Sequence, residues 1–243
     1  PLAYEYDGAW RRATEWQETI GIKSGRSMRE EVYILRKTHH GPVVGKVDDT
    51  TRLVARISGL YEVVPMRQLL PMMKAHSLEE FKNALSLLQL SFMNIIYADR
   101  AGNIYYLYGA RAPRRNPRFD WSQPVDGSDP KTEWLGVHGL DDLPQVLNPP
   151  SGFIQNCNTS PYMTTDTGNP SPGEIPPYLV EDADERKRRG FRSLEILRQM
   201  KNVSLDDLER AAFDTEVYWA RHEMPKFLDA FDQVIHTAPE LAA

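Results

Sequence analysis

Apolar and polar positions repeat with a period of two in some stretches and near 3.6 in others, and these two periods mark out the elements. Arg29 to Thr38 sets Val32, Ile34 and Arg36 against Tyr33, Leu35 and Lys37, which predicts a strand. A shorter strand, Trp16 to Ile22, precedes it across a turn at Ser24-Gly25; residues 1 to 30 otherwise read as polar and irregular. Arg52 to Ile57 predicts another strand, with Leu53, Ala55 and Ile57 on its apolar face. Helical spacing covers Met66 to Lys74, and a second helix opens on a Ser77/Glu80 capping box with Phe81, Ala84, Leu85 and Leu88 on one stripe. Phe92 to Asp99 and Asn103 to Gly109 flank Asp99-Arg-Ala-Gly102 as a hairpin. Both arms are apolar on both faces, which predicts a sheet covered on each side.

In the C-terminal half, Pro149-Pro-Ser-Gly152 feeds a short predicted strand, Phe153 to Cys157, followed by a Pro- and Gly-rich loop from Pro161 to Tyr178. Helices are predicted over Glu181 to Met200, after a Ser204/Asp207 cap, and from about Thr215 to Val234 with an interruption near Pro225. A sheet covered on each side predicts an α/β (α+β) fold in layers, α/β/β/α or α/β/α, with mainly antiparallel sheets where hairpins form them. No repeat or linker divides the chain, so residues 1 to 243 are expected to form a single partial domain.

Composition narrows the function. The chain is 41% hydrophobic with a formal net charge of -5, and no basic block interleaves with aromatics, so composition gives nucleic-acid binding little support. The most apolar stretch, Ala84 to Ile96, is too short and too polar to span a bilayer. The single cysteine, Cys157, excludes an intrachain disulfide and reads as a small thiol buried on a strand. The sequence opens on Pro1 without Met or signal peptide and stops soon after a helical pattern, which reads as an internal piece of a longer chain.

The chemistry-bearing stretch is Asn148 to Pro161, where Asn156 and Asn158 stand at a strand end before a long loop. Two such asparagines serve either as turn caps or as neutral donors at a site. His39-His40 invites a metal reading, but neighbours on a strand point to opposite faces and neither an HExxH motif nor a cysteine partner accompanies them. GxSxG, GxGxxG, P-loop and SxxK motifs are absent.

One ordered series is more specific than any of these. His40-Gly-Pro-Val43 is followed by Asn94-Ile-Ile-Tyr-Ala-Asp99 with Gly102-Asn-Ile104, then by Gly109 with Pro113. Trp134-Leu-Gly136 with Leu143-Pro144 comes next, and finally Asn148-Pro149, Ser151-Gly152, Asn156 and Asn158. This order, from about His39 to Arg198, resembles the penicillin acylase family of N-terminal-nucleophile hydrolases, which includes acyl-homoserine-lactone acylases. The resemblance implies part of a layered αββα sandwich and an internal piece of the β subunit, whose amino-terminal serine attacks the amide with its own α-amino group as base. It implies an acylase that removes the acyl group from a linear amide through an acyl-enzyme. A β-lactam side chain, an acyl-homoserine lactone and a lipopeptide are the substrate classes considered. The alternative is a binding or interaction module of the same fold without a nucleophile.

The resemblance also assigns residues. Asn158 matches the oxyanion-hole asparagine, and Arg189, flanked by Arg186, Arg188 and Arg192, matches the arginine that orders it. Met93 matches a position lining the acyl pocket, where a flexible thioether would suit an apolar group, although core packing explains it equally. No cofactor is expected for catalysis. A structural calcium is implied, with Pro117 and Asp166 as nearest candidates, and the metal set is left open. Expected partners are the small-molecule amide, the α subunit and the remainder of the β subunit from one precursor, in a periplasmic or secreted setting.

Overall fold

The computed structural model describes residues 2–109, 111–180 and 187–234. It forms two compact units whose chains interleave, Pro1–Met93 with Gly109–Leu143, and Asn94–Tyr108 with Pro144–Ala243. Among the described residues, every strand pair is antiparallel.

The first unit opens on a hairpin that polarity alone concealed. Strands β1 (Ala3–Tyr6) and β2 (Ala9–Arg12) pair around Asp7 and Gly8, both at positive φ. The expected Trp16–Ile22 and Arg29–Thr38 strands are longer and form one hairpin, β3 (Thr14–Ser24) with β4 (Ser27–Lys37), in register from Thr14↔Lys37 to Ser24↔Ser27. The strand ends at Lys37, so the alternation that would separate His39 from His40 does not apply: both sit in a turn closed between Thr38 and Gly41. Strands β5 (Val43–Lys46) and β6 (Arg52–Val54) follow, then helices α1 (Met66–Lys74) and α2 (Leu78–Leu85). The Ser77 side chain caps α2 by accepting from the Glu80 N–H, as its sequence predicts. Ala84, Leu85, Leu90, Ala112 and Leu143 are among this unit's buried apolar residues. Buried Gln68 joins them because its Oε1 accepts from the Gln89 and Leu90 N–H groups.

The second unit is built on a three-stranded sheet, β7 (Ile95–Ala98), β8 (Ile104–Leu107) and β9 (Gln145–Leu147), in that order. The Asp99–Gly102 turn joins β7 to β8 as expected. Strand β9 was not legible: three residues after a proline carry no period. Central β8 is buried on both faces at Tyr105, Tyr106 and Leu107, whereas edge strand β7 leaves Ile96 exposed. Asn148 closes the sheet end, its Oδ1 accepting from the Ile104 N–H and its N–H donating to the Ile104 carbonyl.

Two local expectations fail here. Phe153 to Cys157 forms no strand, bends at Cys157 and pairs with no strand among the described residues; Gln155 N–H donates to the Thr164 carbonyl. Cys157 is accordingly half-buried off any strand. Pro225 does not interrupt its helix: α5 runs continuously from Tyr218 to Val234, since proline's fixed φ is compatible with a helix that forgoes one hydrogen bond. Helices α3 (Arg188–Gln199) and α4 (Leu205–Ala212) match the predicted pattern and cap, Ser204 accepting from Asp207 N–H. Residues 181–186, with which the predicted first of these helices began, lie outside the described residues, as does Arg186.

Candidate active site

The core of the second unit extends outward to Asn158 through a chain of polar contacts. Tyr106, fully buried on β8, accepts at its hydroxyl from Asn156 Nδ2 at 3.1 Å. Asn156 Oδ1 in turn accepts from Asn94 Nδ2 and from the Asn158 backbone N–H, each at 3.3 Å. Asn156 therefore supports its neighbour rather than facing solvent chemistry itself. Asn158 takes a left-handed backbone conformation, φ 60°, which asparagine tolerates better than most residues. That bend turns its side chain toward helix α3.

From the first turn of α3, Arg189 Nη2 donates to Asn158 Oδ1 at 2.9 Å. A guanidinium can only donate, so this contact fixes the amide with its oxygen toward Arg189 and its NH₂ turned away. Among the described residues nothing accepts from that NH₂, and Asn158 is exposed. The result is a neutral, oriented donor that does not titrate, suited to an oxygen that gains negative charge.

The neighbouring basic residues are distinguished by their partners. Arg192, one turn on, is committed to Asp214 at 2.8 Å, Glu195 at 2.9 Å and Glu216 at 3.1 Å. Its hydrogen bonds hold the Asp214 carboxyl below the usual range, and Arg221 followed by Arg192 does the same to Glu195. Arg189 is the arginine of this run that reaches Asn158 among the described residues.

Close packing makes that reach short. Gly190 is buried, and a Cβ placed on it would fall 2.3 Å from Thr159 Cγ2. Thr159 is itself 1% exposed and bonded through Oγ1 to Gln155 Nε2 at 3.2 Å. The missing side chain lets α3 lie against the segment carrying Asn158. Gly190, Thr159, Gln155 and Tyr106 were given no role from sequence, and Asn94 appeared there only as part of a motif; a glycine inside a helical pattern, which costs propensity, was the one available signal.

Met93 belongs to the first unit, immediately before Asn94, and is 53% exposed. Its predecessor Phe92 has φ 61°, a strained conformation for an aromatic residue, and is exposed as well. Pro117 lies in the first unit and Asp166 in the second, where Asp166 Oδ1 accepts from Arg198 Nε at 2.7 Å. Calcium takes six to eight oxygens. Two candidates, one already neutralised by an arginine, do not fit a calcium site by themselves.

Comparison with known proteins converges on one family. The family model described as Penicillin amidase matches residues 1–242. Penicillin G acylase of Escherichia coli is 32% identical over 164 residues, 66% of this chain and 19% of that protein. An acyl-homoserine lactone acylase, PvdQ, of Pseudomonas savastanoi pv. phaseolicola is 26% identical over 273 residues, covering 99% of this chain and 34% of its own length. The solved structure of a thermostable penicillin G acylase from Alcaligenes faecalis superimposes with a TM-score of 0.64 at 26% identity, over 95% of this chain and 40% of that one. The chain thus spans well under half the length of these relatives, and its mixed α+β fold with antiparallel sheets is that of the N-terminal-nucleophile penicillin acylases. The chain belongs to the penicillin amidase family.

Proposed function

We propose that this chain is the oxyanion-stabilising part of an acylase that hydrolyses a linear amide through an acyl-enzyme. The observation that carries the reading is the hydrogen bond from Arg189 to Asn158 Oδ1. It presents the asparagine NH₂ to an oxygen that becomes an alkoxide when the amide carbonyl is attacked, and it does so before substrate arrives. The attacking group is a serine at the amino terminus of the released β subunit, acting with its own α-amino group; no serine of this chain is assigned that role. Arg189 positions Asn158 and does not itself donate to the oxyanion.

The substrate is an N-acyl amide, either a β-lactam side-chain amide, an acyl-homoserine lactone or a lipopeptide; two of the relatives are named for penicillin G and for acyl-homoserine lactone. Exposed Met93 is proposed to line the acyl pocket, where its flexible thioether adapts to apolar groups of different shape. The α subunit and the remainder of the β subunit complete the enzyme, in the periplasm or outside the cell. Among the described residues no helix is long and apolar enough to cross a membrane.

The test is amide hydrolysis by the full-length processed protein carrying Asn158→Ala. Loss of one oxyanion donor lowers kcat by about 10²–10³. Activity within about threefold of the parent would remove Asn158 from the mechanism, since a donor in that position contributes far more.

A further inference from the structure

In the first unit, His39 and His40 occupy the two central positions of a tight turn. Thr38 N–H donates to the Gly41 carbonyl at 2.9 Å, and Gly41 N–H returns to the Thr38 carbonyl at 3.2 Å. Gly41 has φ 148°, and a Cβ there would fall 2.1 Å from the Ala55 carbonyl oxygen, so only glycine fits. The turn puts the two imidazole centroids 3.8 Å apart. Glu133, which ends the 3-10 turn Pro130–Thr132, meets both rings. Its Oε1 lies 2.9 Å from His39 Nε2 and 3.5 Å from His40 Nδ1.

The outward-facing atoms of all three residues are already engaged. His40 Nε2 lies 2.8 Å from the Gly127 carbonyl oxygen, which only accepts, so Nε2 carries a proton. His40 Nδ1, on the other side of the ring, faces the Glu133 carboxylate oxygen, where a bound cation would be shared between the two. His39 Nδ1 bonds the Tyr4 hydroxyl at 3.0 Å. Glu133 Oε2 is held by Arg56, whose guanidinium sits 4.5 Å over the Trp134 ring. Imidazoles and carboxylates with their far atoms bonded to a carbonyl, a hydroxyl or a second side chain are the usual surroundings of metal ligands.

We propose that His39 Nε2, His40 Nδ1 and Glu133 Oε1 bind a first-row divalent transition ion of the zinc or cobalt class, with solvent completing the coordination. The three atoms lie within 4.8 Å of one another. Ligands with bonds of about 2.0–2.2 Å stand about 3.3–3.6 Å apart around a tetrahedral ion, so small side-chain movements close the set. Two imidazoles with one carboxylate suit such ions and not calcium, which prefers oxygen. A cleft of about 450 Å³ lined by Tyr4, Lys37, His39, His40, Arg56 and Trp134 gives access. Arg56 and Lys37 bring positive charge nearby, which makes the site weaker than a closed four-ligand zinc centre. The competing arrangement is a hydrogen-bonded network of the same side chains that holds no ion.

The two arrangements are separated by titrating the full-length protein, stripped with a chelator, with Co²⁺ while its d–d absorption is followed. The expected result is a single saturable equivalent, displaced by Zn²⁺ and unaffected by excess Ca²⁺. Tyr4→Phe, which removes an outer partner, weakens binding about tenfold, and His40→Ala and Glu133→Gln weaken it further. No saturable signal in the parent overturns the proposal, as does binding that the ligand variants retain at parental strength. Circular dichroism separates lost ligation from lost fold; should a ligand variant not fold, the parental titration and Tyr4→Phe decide the matter. The site lies outside the unit that carries Asn158, so its failure leaves the acylase reading intact.

Discussion

Gly190 and Thr159 lie so close that a single added methyl group would overlap the Thr159 side chain, with 2.3 Å between the new Cβ and Cγ2. Thr159 is β-branched, buried and bonded to Gln155, so it cannot swing aside. Gly190→Ala gains about 0.5–1 kcal/mol of helix propensity but incurs about 1–3 kcal/mol of overpacking. The clash wins: chemical denaturation is expected to show a net loss of stability, accompanied by reduced amide hydrolysis as Arg189 moves away from Asn158. A stabilised, fully active variant would show that the two segments separate freely.

Arg189 and Asn158 are expected to behave as one device. Arg189→Ala frees the Asn158 amide to rotate and lowers kcat, but adding it to Asn158→Ala costs little more than Asn158→Ala alone, because residues acting as a unit are not additive. A double-mutant cycle on kcat measures this; strictly multiplicative losses would give Arg189 an independent role.

Asn156 connects the core to the site, so Asn156→Ala is expected to affect both. It removes the bond to the Tyr106 hydroxyl and the acceptor for Asn94 and the Asn158 N–H. The expected cost is about 1–3 kcal/mol, read by denaturation, with a fall in kcat. Unchanged kcat at reduced stability would confine Asn156 to the core.

The Val47–Thr51 turn carries a pH signature. Asp48 Oδ1 accepts from Thr50 Oγ1 and N–H and from Thr51 N–H, and these bonds lower its pKa from 3.8 to about 2. Because the folded value is the lower one, the contribution is fully present above the ordinary carboxylate range and is lost as pH falls through about 2. Carboxyl titration by NMR checks the value, and Asp48→Asn is expected to abolish this acid-sensitive component. Titration at the ordinary value would remove it.

What could be read from the chain depended on how local its cause was. Capped helices were legible because Ser77 and Ser204 bond residues three positions away, and the Asp99–Gly102 hairpin because its turn residues announce it. Asp7-Gly8 carried the same kind of signal for the first hairpin, but the polarity of the flanking strands obscured it. Asn158 and Arg189 were matched to site positions only through a resemblance to a family; what the structure adds is the hydrogen bond between them. Phe153 to Cys157 looked like a strand because its composition suits one, yet its shape comes from contacts such as Gln155 to Thr164 and Asn156 to Tyr106. Glu133 stands 94 positions from His39, so no spacing rule links them.

The interleaved path of the two units bears on how the protein can be made and cut. The polypeptide passes between them at 93/94, 108/109 and 143/144, so no single backbone break releases either one as an uninterrupted fragment. Strand β9 pairs with β8 only after the whole 109–143 stretch has been synthesised. Completing the sheet over buried Tyr105 and Tyr106 therefore depends on a pairing between residues some 40 positions apart, a long-range event compared with the local β7–β8 hairpin.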